Sequence, residues 1–365
     1  MACAFERERS NPRVECWAMG LRDKVATIVG RAQPFEVLLR AQHWVGSPWL
    51  LAITYHSAST PERTARFDPG VVDTSPEEFE RQVAFFAKHF DPIGVSELAE
   101  HIETGAPLPK APLLITFDDG YLDNHDVVLP ILRKYGLKGT FFIATDYIDS
   151  RQLFWWDKIN YVLKTAKVDS IAVTYPETIE FKLNTISGTE GAITKCLRIV
   201  KDTYDLDLVK FLDQLTELTK SDLTEALERK FADELLMTWE HVRALASAGM
   251  DVQSHTASHR VLQTLTPDRL EHELERSKTV LAERLGHRIH TVSYPVGKPL
   301  ADVPHVKDAV KRAGYTLGFS NASGVSNRWS FDPIEVRRMA APYLMRPETF
   351  SGYMTLPKLA ATSGS

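Results

Sequence analysis

Asp118 and Asp119 stand side by side ahead of Gly120, at the end of the apolar run Leu114-Ile115-Thr116-Phe117. Far along the chain, Ser254-His255-Thr256-Ala257-Ser258-His259 carries two imidazoles four positions apart. One carboxylate and two imidazoles form a three-ligand set for a divalent cation that leaves a coordination position open. The neighbouring carboxylate can then take a proton from an attacking water. Two adjacent like charges also need a partner, and a cation on one of them leaves the other able to accept a proton. Each motif alone has a plainer reading. Asp-Asp-Gly after a strand is commonly a turn with a helix cap, and a lone His-x-x-x-His is commonly a surface or packing pair. Together they supply each other's missing ligands.

The elements around them must bring the motifs together. Residues 49–55 (WLLAITY), 113–117 and 138–145 are apolar runs of the length of strands buried on both faces. Between the first two, residues 76–90 read as a helix capped by Ser75, with Pro76 at its first position and Phe79, Val83 and Phe86 on one face. Residues 127–136 read as a helix stopped by Gly136. This β–α–β–α–β rhythm predicts parallel strands with helical crossovers. It breaks after Asp149: residues 171–183 alternate about Pro176-Glu177-Thr178 as a hairpin does, and residues 189–235 are charged and helical. It resumes with a helix at 239–249, a strand at 250–254, a helix at 267–286, a strand at 289–295, a helix at 304–314 and a strand at 315–320. Both motifs therefore fall at C-terminal strand ends, the edge on which barrels and open α/β sheets build their sites.

Composition excludes more than it assigns. The 365 residues are 44% hydrophobic and 25% charged, with a net charge of -5, ordinary for a globular protein and without the basic footprint of a nucleic-acid binder. Cys3, Cys16 and Cys196 are odd in number and widely spaced, so no disulfide framework is expected. Charges appear by Glu6 and Arg7 and no signal-peptide core follows, which predicts a cytoplasmic protein without a transmembrane segment. Trp17, Leu21, Val25, Ile28 and Val29 have helical spacing among basic residues. Packing of this helix on the domain's own core is favoured over peripheral membrane contact. The tail from residue 356 is expected to fray.

Thr116-Phe117-Asp118-Asp119-Gly120 followed by the two-histidine motif resembles the polysaccharide deacetylases, also described as carbohydrate esterase family 4 or the NodB-homology group. Thr54-Tyr55-His56, Ser75-Pro76-Glu77-Glu78-Phe79, Tyr121-Leu122-Asp123-Asn124, Thr140-Phe141-Phe142, Trp239 and Ser293-Tyr294-Pro295-Val296-Gly297 agree with it. The resemblance implies an α/β fold, a distorted (β/α) barrel of about seven parallel strands. Residues 46–152 and 236–345 would be its two parts. They would be flanked by a helical extension (1–45) and a tail (346–365), and interrupted by a hairpin-plus-helices insertion (153–235). It implies removal of N-acetyl groups from a sugar in a glycan or glycolipid. A cyclic-amide hydrolase, an O-acetyl esterase and a non-catalytic carbohydrate-binding protein are the alternatives.

The resemblance also implies roles. Asp119, His255 and His259 would hold one divalent ion, Zn²⁺ first, with Co²⁺, Ni²⁺, Fe²⁺ and Mn²⁺ open. Asp118 would be the base, and the Val296 N–H would face the oxyanion, with Tyr294 and Pro295 on the substrate side. Two departures matter. Many members carry a late acid histidine, but none follows His305 here, so the chain looks like the branch in which His56, on the first strand, is the acid. Ser293 stands where an orienting arginine is common, and Arg338 resembles that branch's alternative, aimed at Asp118. Trp155 and Trp156 offer flat platforms for a sugar ring, with core packing the competing reading. Asn124 either caps a helix or orients the site. Oligomeric state is not legible.

Overall fold

The computed structural model describes residues 21–31, 34–60, 62, 65–300, 302–322, 324–341 and 345–359. Among them, one curved sheet carries round the barrel the parallel strands Trp49–Tyr55, Pro112–Phe117, Thr140–Ile143, Asp251–Ser254, Thr291–Ser293, Leu317–Ser320 and a last strand made of Val336–Arg337 and Met339–Ala340. Asp91–Ile93 is added in parallel beside Pro112–Phe117, and Ser326–Asn327 antiparallel beside the start of the first strand. Val336–Arg337 pairs with Phe319 and Ser320, whereas Met339–Ala340 pairs with Ile53 and Thr54 of the first strand. The last strand thus bridges both edges and nearly closes a barrel, and Arg338 is the single residue between its two pairings. The fold agrees with the expected distorted (β/α) barrel.

Strand periodicity sorts the side chains into two cores. Leu51, Ile53, Tyr55, Leu113, Ile115, Phe117 and Phe141 belong to the large cluster shared with the surrounding helices. Leu50, Ala52, Leu114, Phe142, Phe319 and Val336 form the barrel's own filling, with Val95 and Leu98 packed among them. The capped helix forms over Pro76–His89, with Ser75 Oγ accepting the Glu78 N–H at 3.2 Å. Gly136 ends the Leu129–Tyr135 helix at φ +66°, a conformation open to glycine without steric cost. That helix starts earlier than its pattern indicates, as a π-turn over Asn124–Val128.

A third apolar cluster gathers Trp155, Trp156, Ile159, Phe181, Cys196, Phe211 and Phe231 with Tyr121 and Tyr147. It lies under the hairpin Ser170–Val173/Ile179–Lys182 and the helices Trp155–Lys164, Ile186–Asp202, Leu208–Thr219 and Glu225–Leu235.

At the opposite extremities of the chain, the Leu21–Arg31 helix packs through Ala26, Thr27 and Gly30 on the Pro347–Thr355 helix. Gly30 and Gly352 allow the close approach: a Cβ on either would lie within 2 Å of a carbonyl oxygen, 1.8 Å from Glu348 O and 1.9 Å from Ala26 O. Of the tail expected to fray, Pro357–Leu359 form a 3₁₀ turn with Pro357 buried, and residues 360–365 lie outside the described residues. Trp17, Cys3 and Cys16 lie outside the described residues. No helix among the described residues is long and apolar enough to cross a membrane.

Candidate metal and catalytic site

Asp118 and Asp119 leave the sheet at the end of Pro112–Phe117, and His255 follows Asp251–Ser254 directly. Backbone conformation turns these residues inward. Asp119 has φ +74°, Gly120 +108°, Thr256 +64° and His259 +54°. Such values cost energy for residues other than glycine and persist only where the surroundings enforce them.

The ligand atoms converge. His255 Nε2 and His259 Nε2 each lie 3.3 Å from Asp119 Oδ1, and the three groups offer atoms within 4.8 Å of one another. Asp119 Oδ1 is buried and has no hydrogen-bond partner of proper geometry, an arrangement that is costly unless a cation sits there. His255 Nδ1 lies 2.9 Å from the Ser293 carbonyl, which makes Nδ1 the protonated nitrogen and presents the Nε2 lone pair to the centre. Burial disfavours protonated His259, although Asp119 opposes this, and the net shift of its imidazole is downward. Burial would also raise Asp119, but His255 and His259 hold its carboxyl far below the usual range. A neutral imidazole and an ionised carboxylate are the protonation states that bind cations. The donor set therefore fits a divalent ion.

Asp118 points elsewhere. Arg338 donates to its Oδ1 at 2.8 Å and its Oδ2 at 2.7 Å, a two-bond fork. The same guanidinium donates to Ser293 Oγ at 2.8 Å and Thr116 Oγ1 at 3.2 Å, and Ser293 Oγ donates to Asp118 Oδ2 at 3.2 Å. Arg338 is fully buried, at 0% exposure. Burial favours the neutral carboxyl of Asp118, but the Arg338 charge and then His255 outweigh it and hold the group below its ordinary value.

His56 closes the other side. Tyr55 pairs with Phe117 and its carbonyl accepts the Asp118 N–H at 2.9 Å, so His56 and Asp118 emerge from adjacent strand ends. The short pairing of Ser57–Ala58 with Val72–Thr74 brings Asp73 alongside. Asp73 Oδ2 accepts the His56 backbone N–H at 2.5 Å and lies 3.0 Å from His56 Nδ1. The His56 side chain remains 26% exposed, which leaves the rest of its ring accessible. Burial lowers its pKa, yet the Asp73 charge and hydrogen bond, with Asp119 and Asp118 behind them, win and raise it to about 10. Asn124 Nδ2 donates to the His56 carbonyl at 2.8 Å, so this side chain ties the first strand's end to the turn after Asp119.

Asp73 escaped the sequence reading: one acid in a three-residue strand has no periodic signal. The bridging hydroxyl of Ser293 was visible only as a missing arginine.

Other expected site residues sit differently. Trp155 and Trp156 are 2% and 5% exposed, with no open face for a sugar, so the platform reading is corrected in favour of core packing. Trp155 Nε1 donates to the His259 carbonyl at 3.2 Å, and the Trp156 ring packs on the His259 ring at 4.5 Å. Trp156 Nε1 donates to Tyr121 Oη at 2.8 Å, and Tyr121 donates to buried Asp157 at 3.0 Å. Tyr294 is buried as well, and its hydroxyl donates to the Ile334 carbonyl at 2.6 Å. With Pro295 also buried, these two residues brace the strand end instead of facing solvent as substrate contacts would. Val296 is half-buried at φ +61°, an outlier for a β-branched residue. It sits in a turn closed by the Gly297 N–H donating to the Tyr294 carbonyl at 2.8 Å.

Comparisons with known proteins bear on the family and the fold. YxkH of Bacillus subtilis (strain 168) is 22% identical over 216 residues, 59% of this chain and 47% of YxkH. The poly-beta-1,6-N-acetyl-D-glucosamine N-deacetylase of Escherichia coli (strain K12) is 25% identical over 119 residues, 32% of this chain and 17% of that enzyme. The chain thus spans less than half the length of these curated relatives. The Streptococcus pyogenes deacetylase PplD, solved with acetate, superposes with a TM-score of 0.54 at 17% identity, covering 85% of this chain and 98% of PplD, a likeness of fold. The polysaccharide deacetylase family matches residues 105–186 and 201–318, more than half of the sequence, and this chain belongs to that family.

Proposed function

We propose that the protein is a metal-dependent hydrolase that removes N-acetyl groups from an N-acetylated glycan or glycolipid. The observation that carries this reading is one barrel edge on which the donor atoms of Asp119, His255 and His259 converge beside Asp118 and His56, whose pKa values are shifted in opposite directions. Asp119, His255 and His259 would hold the ion. Bound there, a divalent cation supplies Lewis acidity toward a carbonyl oxygen and lowers the pKa of water. Zn²⁺ suits two imidazoles and a carboxylate, and Co²⁺, Ni²⁺, Fe²⁺ or Mn²⁺ would also fit.

Asp118, kept ionised and aimed by Arg338, takes the proton of the attacking water. His56, kept protonated by Asp73, gives a proton to the leaving nitrogen. The Val296 N–H is assigned to the developing oxyanion; its strained turn supports that assignment. An amine is a poorer leaving group than an alcohol, so a histidine protonated well above neutrality favours an amide substrate over an ester. Residues 153–235 we take as an insertion that walls the site through Trp155 and Trp156.

The substrate class follows the E. coli relative, whose name specifies poly-N-acetylglucosamine. Acetate release from N-acetylglucosamine oligomers, measured against O-acetylated sugars of matched length, tests the reading. Faster release from the esters would favour the esterase alternative.

A further inference from the structure

Glu273 projects from the Pro267–Leu285 helix to the loop that joins the two histidines. Its Oε2 accepts the backbone N–H of Ala257 at 3.1 Å and of Ser258 at 2.8 Å, and its Oε1 accepts the Ser258 hydroxyl. All three donors lie strictly between His255 and His259. The carboxylate is buried, and a buried carboxylate is tolerated when donors meet its lone pairs. Here the donors come from the loop itself, so the carboxylate's burial and the loop's shape depend on each other.

The loop needs such a hold. Thr256 and His259 are both in the left-handed region, at φ +64° and +54°, without being glycine. The loop's carbonyls are held from the other side: the Thr145 N–H donates to Thr256 O at 3.3 Å, the Asp146 N–H to Ala257 O at 2.9 Å, and Trp155 Nε1 to His259 O at 3.2 Å. Ser254 Oγ accepts the Thr256 N–H at 3.1 Å, and Glu273 answers the next two N–H groups, those of Ala257 and Ser258.

We propose that Glu273 is a positioning residue for the metal site: it fixes the backbone between His255 and His259, so that both Nε2 atoms face Asp119 before the ion arrives. Held this way, the ligands lose little freedom on binding. The proposal rests on the reading of Asp119, His255 and His259 as ligands.

The test is titration of the metal-stripped full chain with Co²⁺, followed by its visible absorption, for the parent, Glu273→Gln and Ser258→Ala. Glutamine keeps the shape but turns one acceptor into a donor that faces the loop's own donors. The Kd for Co²⁺ should rise on the order of tenfold or more in Glu273→Gln, as for other supporting groups of metal sites. Its absorption bands should change, and the melting temperature of the metal-free protein should move by only a few degrees. Ser258→Ala, which removes one hydroxyl donor and spares both N–H bonds, should weaken binding in the same direction by less. Parental Kd and spectrum in both variants would overturn the proposal, as would losses that merely track a fall in metal-free stability. A parent that takes up no Co²⁺ would instead overturn the ligand reading, and this proposal with it.

Discussion

Arg338 grips Asp118 through a two-bond fork of 2.8 and 2.7 Å, from the one position at which the last barrel strand changes neighbours. Closure of the barrel and orientation of the candidate base are thereby the same structural event. A strand pairing continuously with either edge would present a different register there.

Replacing Arg338 should hurt stability and activity together. Arg338→Ala leaves a buried carboxylate unpaired, which costs about 3–5 kcal/mol in comparable cases. Arg338→Lys keeps the charge but cannot reproduce the planar fork. Arg338 holds the Asp118 carboxyl down chiefly through its charge, so in Arg338→Ala its pKa should rise and the acid limb of the kcat/KM profile should move to higher pH, whereas Arg338→Lys should move it less. Denaturant unfolding and a pH–rate profile measure both effects; an unmoved acid limb in folded Arg338→Ala would separate Asp118 from the rate.

His56 and Asp73 set the alkaline side. The folded-state pKa of His56 is raised to about 10 against an ordinary value of 6.5. The stabilisation from its pairing is therefore complete below about pH 6.5 and is lost as pH climbs toward 10. Asp73→Asn removes the attractive charge and should bring the basic limb of activity down in pH, with the rate at neutral pH falling on the order of tenfold to a hundredfold. An unchanged basic limb would remove His56 from the role of acid.

The buried tryptophans allow a sharp distinction. Trp156→Ala opens a cavity against His259 and should cost about 3–5 kcal/mol of stability, as truncations of large aromatic residues do. If Trp156 were a sugar platform, KM would instead rise while the unfolding midpoint stayed in place. Denaturation curves and Michaelis profiles of the same preparation decide between them.

Much of this site was readable in the sequence because its residues stand at the ends of long apolar runs. Residues 49–55 and 113–117 announce their strands, and Asp118, Asp119 and His56 follow at once. The two-histidine motif is legible because its spacing is local. What the sequence hides are elements too short to carry a period. Val72–Thr74, Val336–Arg337 and Met339–Ala340 are two or three residues each, yet they deliver Asp73 and Arg338. Arg338 was reachable only through a family resemblance, and Asp73 not at all. Trp155 and Trp156 illustrate the opposite problem. An aromatic pair reads alike as platform or core, and only the cluster built around it, with Phe154, Tyr121 and Tyr147, decides.

The central claim is that Asp119, His255 and His259 hold the ion on which deacetylation depends. Its most direct test is acetate release from N-acetylglucosamine oligomers by the metal-loaded parent and by Asp119→Ala and His255→Ala, with bound metal measured in each. The account predicts about one ion per parent chain, restored activity after chelation and readdition of metal, and loss of both metal and at least a hundredfold of the rate in the variants, since removing a ligand removes the Lewis acid with it. Variants as active as the parent, or a parent whose activity survives removal of all metal, would contradict it.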